Sequence, residues 1–557
     1  MKKILCLLLA LLFMPCTGFA EHYHTVVDET AASDGTYLVA VNTNPSPSVT
    51  QQTAAIPAAN AAVQAAAEDE SIPYGTRSVI ETEAGTLYEL EPEHAPAANA
   101  ARTTVQTNRL YSNEVCEVYL EEGAASELEF TKARAAQLGD YYRDFICKQM
   151  QQAFGALPDQ EKKLKILCYD IQDDFVASDK TKWAYIAGMF DPALYQSGHY
   201  AIMLDTYPTM SFNSSRPTEI QPADVTKSYG TLAHEFQHLL NQCAYDARAD
   251  KTKSQMNVWL NECFSECANE IQNPAYSRRI TDSNSTSIAK QLSGGLSLLD
   301  WQGTLGNYSL SYLFGQYLRT QTKAYPGGGN EIYRKISDIY YTQPGSELDA
   351  IAAAMTEVTG SQWTPEDVLF RFRVALVAQQ DSGVYGFGGE EKFLQYIPAT
   401  AAAAVNLPGG GATVFSCPSG YRVPSAADGD IRYCVVTPSD IVVTSADVRG
   451  IQSGTNIIVP LTTLKADEMR FYTTFYNRTA RAAGPTLYAA ISNQNGQLLY
   501  TQTAKLSEIT RSNTKTEPFV LPPNIKADIQ PGDTLRVYAL SGGLHPYMQT
   551  IFTFVQP

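Results

Sequence analysis

Long apolar runs, positive charge and histidine are all scarce in this chain of 557 residues. After the first 20 residues, no stretch approaches the 18 continuous apolar residues of a membrane-spanning helix, so we expect no membrane span. Lysine and arginine number 41 against 58 acidic residues, which gives a formal net charge of −17. Such an acidic surface argues against nucleic acid and anionic membranes as partners.

The first 20 residues have the features of a secretory signal peptide. Met1–Lys3 is basic, Ile4–Met14 is apolar, and small residues precede Ala20. The pattern therefore predicts cleavage near Ala20 and a secreted, periplasmic or cell-surface location.

Few cysteines remain once that signal is removed, and disulfides can form in an exported protein. The remaining cysteines stand at positions 116, 147, 168, 243, 263, 267, 417 and 434. Cys417 and Cys434 are isolated in the C-terminal part and are the pair most readily proposed. The connectivity of the others does not follow from the sequence.

Large apolar residues are also sparse between Glu21 and Asn108, where Ala, Thr, Asn, Pro and Ser dominate. Pro57–Ala62 recurs letter for letter as Pro96–Ala101. Such a composition cannot bury much core. We expect residues 21–108 to be a low-complexity linker or a propeptide, with short ordered pieces such as Gly35–Asn42.

Two of the histidines stand four residues apart in the segment Thr231–Gln242, which reads Thr-Leu-Ala-His-Glu-Phe-Gln-His-Leu-Leu-Asn-Gln. Its apolar residues recur at the spacing of a buried helical stripe, and Asp224 suits the N-cap. On a helix His234 and His238 lie one turn apart on one face, so both imidazoles can bind one metal ion. Glu235 then lies beside the ion, as the carboxylate base of a zinc hydrolase does.

Chance is a poor explanation of this pattern. With seven histidines and 58 acidic residues, a His-acid-x-x-His match is expected about 0.01 times in a chain of this length. The scarcity of histidine is what makes the pair informative.

A catalytic zinc site usually has three protein ligands and keeps a fourth position for water. Downstream, Trp259–Glu266 reads Trp-Leu-Asn-Glu-Cys-Phe-Ser-Glu and puts Glu262 and Glu266 one turn apart on a predicted helix. One carboxylate can bind the metal while the other accepts a hydrogen bond from a ligand imidazole. Cys263 and Cys267 are an alternative source of a ligand, although packing or a disulfide explains them better.

The two motifs together resemble the gluzincins, the thermolysin-like zinc peptidases whose third ligand is a glutamate from a second helix. More narrowly, Ala233–Asn241 with Trp259–Glu262 looks like the hyicolysin family of secreted peptidases. The resemblance covers roughly residues 115–383. It implies one zinc ion, the ligands His234, His238 and Glu262, and Glu235 as general base.

The same resemblance assigns Glu266 as the hydrogen-bond partner of His234. The chain departs from the relatives at two positions of this motif. Cys263 stands where they more often carry glycine, and Glu266 stands where thermolysin has aspartate.

A developing oxyanion needs a hydrogen-bond donor besides the metal, commonly His or Tyr. Beyond Glu262 only His545 remains, far along the chain, so a tyrosine is favoured. Tyr308–Leu318 resembles the stretch of gluzincin aminopeptidases in which a tyrosine opens a helix and points at the tetrahedral intermediate. The resemblance implies Tyr308 as donor and Tyr312 as second choice. A core aromatic on an amphipathic helix is the alternative.

Before the metal helix, the chain has a mixed pattern of strands and one helix. Strands are predicted at Cys116–Leu120, Lys163–Tyr169 and His199–Asp205, and a helix at Phe130–Phe154. In gluzincins the edge strand of a small sheet binds extended substrate. Trp183–Phe190 is the candidate for that strand, with an interior strand as the alternative.

The predicted fold class is α+β. A thermolysin-like zincin domain, with a small mixed sheet and active-site helices, is expected at residues 109–398, followed by a β-sandwich at residues 412–557. Runs of alanine and glycine at 401–404 and 409–411 mark the boundary. Short alternating segments are typical of a sandwich, and here they are Ile431–Val436, Met469–Phe475, Leu487–Ile491, Leu535–Tyr538 and Thr550–Val555.

The predicted function is that of a secreted zinc endopeptidase, with a protein or peptide as its partner. Glu235 would take a proton from the attacking water and return it to the leaving amine. An exopeptidase of the same clan is one alternative, but the chain lacks the Gly-x-Met-Glu-Asn-type anchor for a substrate amine. A non-catalytic surface protein with a structural zinc site is another, although such a site has no use for Glu235. Oligomeric state and cleavage specificity do not follow from the sequence.

Overall fold

Strands and helices are described for most of the chain between residues 104 and 380 and for parts of the rest. The computed structural model describes residues 24–26, 37–53, 77–82, 85–90, 104–173, 175–183, 185–217, 219–247, 253–272, 278–283, 286–380, 383–388, 390, 393, 405–416, 423, 429–437, 442–448, 451–453, 456–460, 469–476, 486–505, 514–521, 528–540 and 546–555. The predicted signal peptide, residues 1–20, lies outside these ranges.

In chain order the strands are β1 (His24–Val26), β2 (Tyr37–Asn42), β3 (Gln51–Gln52), β4 (Arg77–Thr82), β5 (Gly85–Leu90), β6 (Thr104–Ser112), β7 (Cys116–Glu121), β8 (Leu164–Tyr169), β9 (Gly188–Phe190), β10 (Ala201–Asp205), β11 (Gly294–Ser297), β12 (Asn406–Leu407), β13 (Gly411–Ser416), β14 (Ile431–Thr437), β15 (Val442–Val448), β16 (Ile451–Ser453), β17 (Asn456–Pro460), β18 (Met469–Tyr476), β19 (Thr486–Ser492), β20 (Leu498–Lys505), β21 (Thr514–Leu521), β22 (Thr534–Leu540) and β23 (Pro546–Val555). The α-helices are α1 (Ala124–Glu127), α2 (Lys132–Tyr141), α3 (Lys148–Phe154), α4 (Pro192–Gln196), α5 (Tyr229–Asp246), α6 (Val258–Gln272), α7 (Arg278–Ser283), α8 (Thr286–Ser293), α9 (Leu305–Thr322), α10 (Glu331–Thr342), α11 (Glu347–Thr359) and α12 (Pro365–Ala378).

The chain divides into two compact units by the density of its internal contacts. One, here called the helical unit, comprises residues 65–282 and 298–368. The other, the strand-rich unit, comprises residues 1–64, 283–297 and 369–557. The predicted domain limits at residues 109, 398 and 412 remain predictions.

The helical unit contains a mixed sheet with the strand order β4-β5-β6-β7-β8-β10-β9. Strands β7, β8 and β10 are mutually parallel, whereas β9 pairs antiparallel with β10. Of the predicted strand Trp183–Phe190, only Gly188–Phe190 pairs, and it forms an edge of the sheet. Residues 185–187 are irregular, and Trp183 packs edge-on against Phe212, with ring centroids 5.3 Å apart.

The predicted helix Phe130–Phe154 is present but not uniform. Thr131 caps α2, and the turn between α2 and α3 is a π-helix, Tyr142–Cys147. The wider turn keeps Tyr142 fully buried, where its ring meets Phe236 of α5 edge-on at 5.2 Å. Such π-turns are rare, and the 3.6-residue period of the sequence does not predict them.

Helix α5 forms as its sequence predicts. Asp224 accepts a hydrogen bond from the Thr226 backbone N–H and caps a 3₁₀ turn, Val225–Ser228, which leads directly into the helix. The predicted apolar stripe is buried at Leu232, Phe236, Leu239 and Leu240. The stripe holds α5 against the interior of the unit.

Helix α6 packs against both α5 and α9. Cys263 and Cys267 are buried free thiols one turn apart on α6, and Gly315 of α9 lies against them. A β-carbon at Gly315 would come within 2.3 Å of Cys267 Sγ and 3.0 Å of Cys263 Sγ. The glycine is therefore required for the close approach of α9 to α6.

The strand-rich unit holds a sheet with the order β1-β14-β2-β13-β11. Strand β2 comes from the predicted ordered piece Gly35–Asn42, and all its residues are buried. Two further sheets have the orders β16-β15-β18-β21 and β17-β23-β22-β19-β20. Cys434 is buried. Its proposed partner Cys417 lies outside the described residues, so this pairing stays a prediction.

The architecture of the described residues is α+β, as predicted, with a mixed sheet and helices before the C-terminal strands. Within the described ranges, no helix combines the length and apolar content needed to cross a bilayer.

Replacing Gly315 by alanine should lower the free energy of unfolding by about 1–3 kcal/mol, the usual cost of overpacking a core. Alanine favours a helix by only about 0.5–1 kcal/mol over glycine, so the clash should prevail. Urea titration measures the difference.

The double variant Gly315→Ala, Cys267→Ala is the matched control. Removing the Cys267 thiol makes room for the new methyl group, so the alanine should cost less in this background than in the wild type. Equal costs in the two backgrounds would contradict the packing role of Gly315.

Candidate metal centre

Helix α5 carries two histidines and a glutamate at the centre of the helical unit. His234 and His238 are mostly buried, with side-chain exposures of 12% and 11%. Their rings meet edge-on, with centroids 4.9 Å apart. The one-turn spacing therefore places both imidazoles together, as predicted.

Helix α6 brings Glu262 to the same point. Asn241 of α5 donates a side-chain hydrogen bond to Asn261 of α6 at 3.0 Å, and the Tyr341 hydroxyl donates to Asn241 at the same distance. These contacts fix how α5 and α6 are aligned along their length, at Asn261, the residue that precedes Glu262. Ser265 further orients Glu262 by donating to its carboxylate at 3.2 Å.

The donor atoms have the spacing of a small metal ion. His234 Nε2 lies 3.3 Å from Glu262 Oε2, and His238 Nε2 lies 3.6 Å from Glu262 Oε1. One ligand atom from each of the three residues lies within 4.8 Å of the others. Tetrahedral zinc with bonds of about 2.0–2.2 Å requires donors roughly 3.3–3.6 Å apart, so the residues fit the ion.

The charges in this cluster are strongly coupled. Burial alone would lower the pKa of His234, but its hydrogen bond to Glu262 and the nearby carboxylates of Glu235, Glu262 and Glu266 raise that pKa to about 9. Burial likewise opposes ionisation of Glu262, yet His238 and His234 hold its pKa below the usual value. Opposite pKa shifts in neighbouring buried groups are typical of functional sites.

Glu235 points to the edge of the sheet. Burial raises the pKa of its carboxyl group, while the neighbouring histidines oppose that shift. The nearby Phe190 backbone of β9 also favours the ionised form and so opposes the rise in this pKa. At Gly188 in the same strand, a β-carbon would come within 2.6 Å of Thr231 Cγ2 and 2.7 Å of the Met203 carbonyl oxygen, so only glycine permits this approach.

Glu266 lies one turn beyond Glu262 and faces the other nitrogen of His234. Its Oε1 is 3.8 Å from His234 Nδ1, which is too long for a hydrogen bond. Both of its oxygens instead accept hydrogen bonds from Arg279 of α7. Sequence reasoning found Glu266 but missed Arg279, because no motif links a residue of this short helix to the metal helices.

Tyr308 lies in the first turn of α9, which Thr304 caps, so the predicted position at a helix start is confirmed. Its ring packs against Trp301 with centroids 4.9 Å apart and against the Arg279 guanidinium carbon at 5.0 Å. Burial raises the pKa of its hydroxyl. Tyr312, the second choice, donates a hydrogen bond from its hydroxyl to the buried carboxylate of Glu270. That proton is therefore not available to a substrate oxyanion.

The cysteine alternative for the third ligand finds no support in the geometry. Cys263 and Cys267 face Gly315 of α9 and pack in that contact. The group of potential metal ligands found among the described residues is His234, His238 and Glu262.

The chain is similar to a protease of known function. It is 30% identical over 325 residues to the neutral metalloprotease ShpI of Staphylococcus hyicus, an alignment that covers 55% of this chain and 68% of ShpI. No protein-family profile matches the chain.

Solved structures match only weakly. The C-terminal domain of wzt is 12% identical, with a TM-score of 0.15, and the match covers 21% of this chain and 75% of that one. β-Glucuronidase 2 of Bacteroides uniformis is 8% identical, with a TM-score of 0.15, over 22% of this chain and 15% of the enzyme. Scores this low carry no argument about fold or function.

The alignment with ShpI confirms the resemblance on which the predicted ligands were based. Since it extends over two thirds of that protease, and since two helices of this chain bring paired histidines and a glutamate together, the protein belongs to the thermolysin-like metalloprotease family of ShpI.

Proposed function

We propose that this metalloprotease is a zinc-dependent endopeptidase. His234, His238 and Glu262 would hold one zinc ion, and Glu235 would be the general base. The observation that carries the proposal is the convergence of three donor atoms within 4.8 Å of one another, beside a buried carboxylate that is not one of them.

The donor set favours zinc over the other common divalent ions. Two imidazole nitrogens and one carboxylate suit zinc, whereas magnesium and calcium require mostly oxygen ligands. When bound, zinc supplies Lewis-acid chemistry, which makes a water molecule more acidic and polarises a carbonyl group.

Glu235 has the environment that a general base requires. The raised pKa of its carboxyl group brings it closer to neutral pH, while the neighbouring histidines and the Phe190 backbone favour the ionised form that can accept a proton. Glu235 takes the proton of the attacking water and delivers it to the nitrogen of the leaving amine. A purely structural metal site would not use a buried carboxylate in this position.

The edge strand β9 is available to bind an extended peptide substrate through backbone hydrogen bonds. The backbone of its residue Phe190 lies near the Glu235 carboxylate, so a peptide added alongside β9 would pass close to the base. Backbone hydrogen bonds to an edge strand do not depend on side chains, which fits an enzyme that cleaves within a chain.

The oxyanion donor in this proposal is Tyr308. No hydrogen-bond partner for its hydroxyl is found within the described part of the chain, so the proton is available. Arg279 and Trp301 constrain its ring from two sides. Tyr308 would donate to the oxygen of the scissile carbonyl as negative charge develops there.

The organisation of the rest of the chain completes the proposal. Residues 1–20 would direct export and 21–108 would act as a linker or propeptide for a zincin domain at 109–398. Residues 412–557 would form a β-sandwich, an arrangement supported by the contact of β15 in one sheet with β23 in the other. The enzyme would act outside the cytoplasm or at the cell surface on proteins or peptides.

Glu235→Gln should bind zinc normally yet lose almost all cleavage of casein, because the amide cannot accept the proton of water. Zinc content and fragment release, measured side by side for wild type and variant, check this. Normal turnover by the variant would remove Glu235 from the mechanism. Inactivity of both proteins at full zinc occupancy would contradict the peptidase assignment.

His238→Ala should lose the metal, since two donors bind zinc far more weakly than three. Dialysis followed by metal analysis should find well under one zinc per chain, against about one for the wild type. His199→Ala, a half-buried histidine of the same unit, is the control and should retain the ion. Full zinc occupancy in His238→Ala would refute the ligand set.

Tyr308→Phe should lower kcat about 10²- to 10³-fold with little change in KM, the usual effect of removing one oxyanion donor. Steady-state kinetics on a defined peptide measure both constants. Tyr325→Phe, at a largely exposed tyrosine just beyond α9, serves as the control. An unchanged kcat in Tyr308→Phe would leave Tyr308 as a packing residue only.

A further inference from the structure

Arg279 is the charged residue that connects the surroundings of the candidate metal centre. Its Nη2 donates to Glu266 Oε1 at 2.7 Å, and its Nε donates to Glu266 Oε2 at 2.8 Å. The two bonds form the side-on fork in which a guanidinium fixes both the position and the plane of a carboxylate.

This fork, rather than His234, sets the orientation of Glu266. The carboxylate is 2% exposed, so it needs strong partners to remain ionised there. His234 Nδ1 lies 3.8 Å away, too far for a hydrogen bond to this carboxylate. The oxygen that faces His234 is the same one that accepts from Arg279 Nη2.

The guanidinium is itself held from a third direction. Asp282, one turn along α7, accepts from Arg279 Nη1 at 3.2 Å and is partly exposed. The carboxylates of Glu266 and Asp282 together raise the pKa of Arg279 against the effect of burial. Arg279 therefore remains charged beside the cluster of Glu235, Glu262 and Glu266.

One face of Arg279 also supports the proposed oxyanion donor. Its guanidinium carbon lies 5.0 Å from the centre of the Tyr308 ring, within the range of a cation–π contact. Trp301 packs on the same ring. A single side chain thus touches both the carboxylate that faces His234 and the tyrosine proposed to donate to the substrate.

We propose that Arg279 is a positioning residue that holds Glu266 against His234 and packs beneath Tyr308. With its carboxylate held there, Glu266 favours the imidazole form of His234 that carries its proton on Nδ1, which leaves the Nε2 lone pair directed at Glu262 and the metal. The inference rests on the proposed function. Arg279 touches no reacting atom and acts through its neighbours.

The presence of glutamate at position 266 fits this role. A glutamate side chain has several rotatable bonds and therefore many conformations, and a bidentate arginine restricts it to one. The fork thus fixes the carboxylate without adding a ligand to the centre.

The test compares Arg279→Met, Arg279→Lys and the wild type in the full-length protein. Methionine keeps much of the volume and removes the charge and all donors, whereas lysine keeps the charge but cannot bond both oxygens in one plane. Arg109→Met, which breaks an exposed ion pair with Glu117 in the same unit, is the matched control. Zinc affinity is measured by competition with a chelator, and kcat and KM are measured at saturating zinc.

Arg279→Met should bind zinc about 10- to 100-fold more weakly than the wild type, the usual effect of losing a group that orients a ligand. Arg279→Lys should recover less than half of the loss on a logarithmic scale, because orientation rather than charge is what the fork supplies. At saturating zinc, kcat should fall while KM changes less than about twofold, because Tyr308 loses its support. Arg109→Met should match the wild type.

The route through Glu266 is tested by a double variant. Glu266→Ala should weaken zinc binding, and adding Arg279→Met should weaken it no further, because the arginine acts through that carboxylate. Additive losses, or zinc affinity within about twofold of wild type in Arg279→Met, would overturn the proposal. If Arg279→Met fails to fold by circular dichroism, Arg279→Lys takes its place in the double variant.

These outcomes are distinct from failure of the proposed function. A wild-type protein that binds no zinc, or a His238→Ala variant that binds it equally well, removes the metal centre itself. If the wild type and Arg279→Met bind zinc equally well while His238→Ala does not bind it, the metal centre stands and only the role of Arg279 is refuted.

Discussion

The candidate metal centre depends on the register between helices α5 and α6. Two of its donor nitrogens are guaranteed by a one-turn spacing on α5, but the third donor comes from another helix and must arrive within about 0.2 Å of its required distance. The hydrogen bond from Asn241 to Asn261 fixes this register at 3.0 Å, immediately beside Glu262. Tyr341 secures the same asparagine from a more distant helix.

Close packing behind α6 enforces the same geometry. Gly315 lets α9 lie directly on the thiols of Cys263 and Cys267, so α6 is confined between α5 and α9. Well-packed interiors do not deform continuously, and a helix held on two faces cannot slide by a fraction of a turn. The cysteines thus contribute to the site by their volume and not by their chemistry.

Concentrating three buried carboxylates around two imidazoles is costly unless positive charge balances them. The protein supplies one cation through Arg279, and the donor geometry of His234, His238 and Glu262 provides for a divalent one. The raised pKa of His234 expresses the same excess of negative charge. Electrostatics and coordination geometry therefore lead to the same conclusion about what the site binds.

Local sequence determined a great deal here. The apolar periodicity around Phe236 specified α5, the spacing of His234 and His238 specified two ligands, and strands β7, β8 and β10 lie close to where alternation predicts them. These features could be predicted because they depend on neighbours within one or two turns along the chain.

Tertiary packing decided the remainder. The π-helical turn that buries Tyr142, the shortening of β9 to three residues, and the fork between Arg279 and Glu266 all arise from contacts between segments distant in sequence. Helical spacing alone left Glu262 and Glu266 as interchangeable candidates, because they lie one turn apart on the same helix, and it was the family resemblance that named Glu262 as the ligand. In the folded chain Glu262 meets both imidazoles, while Arg279 holds both oxygens of Glu266 beside His234, since distances across helices are set by packing and not by spacing along the chain.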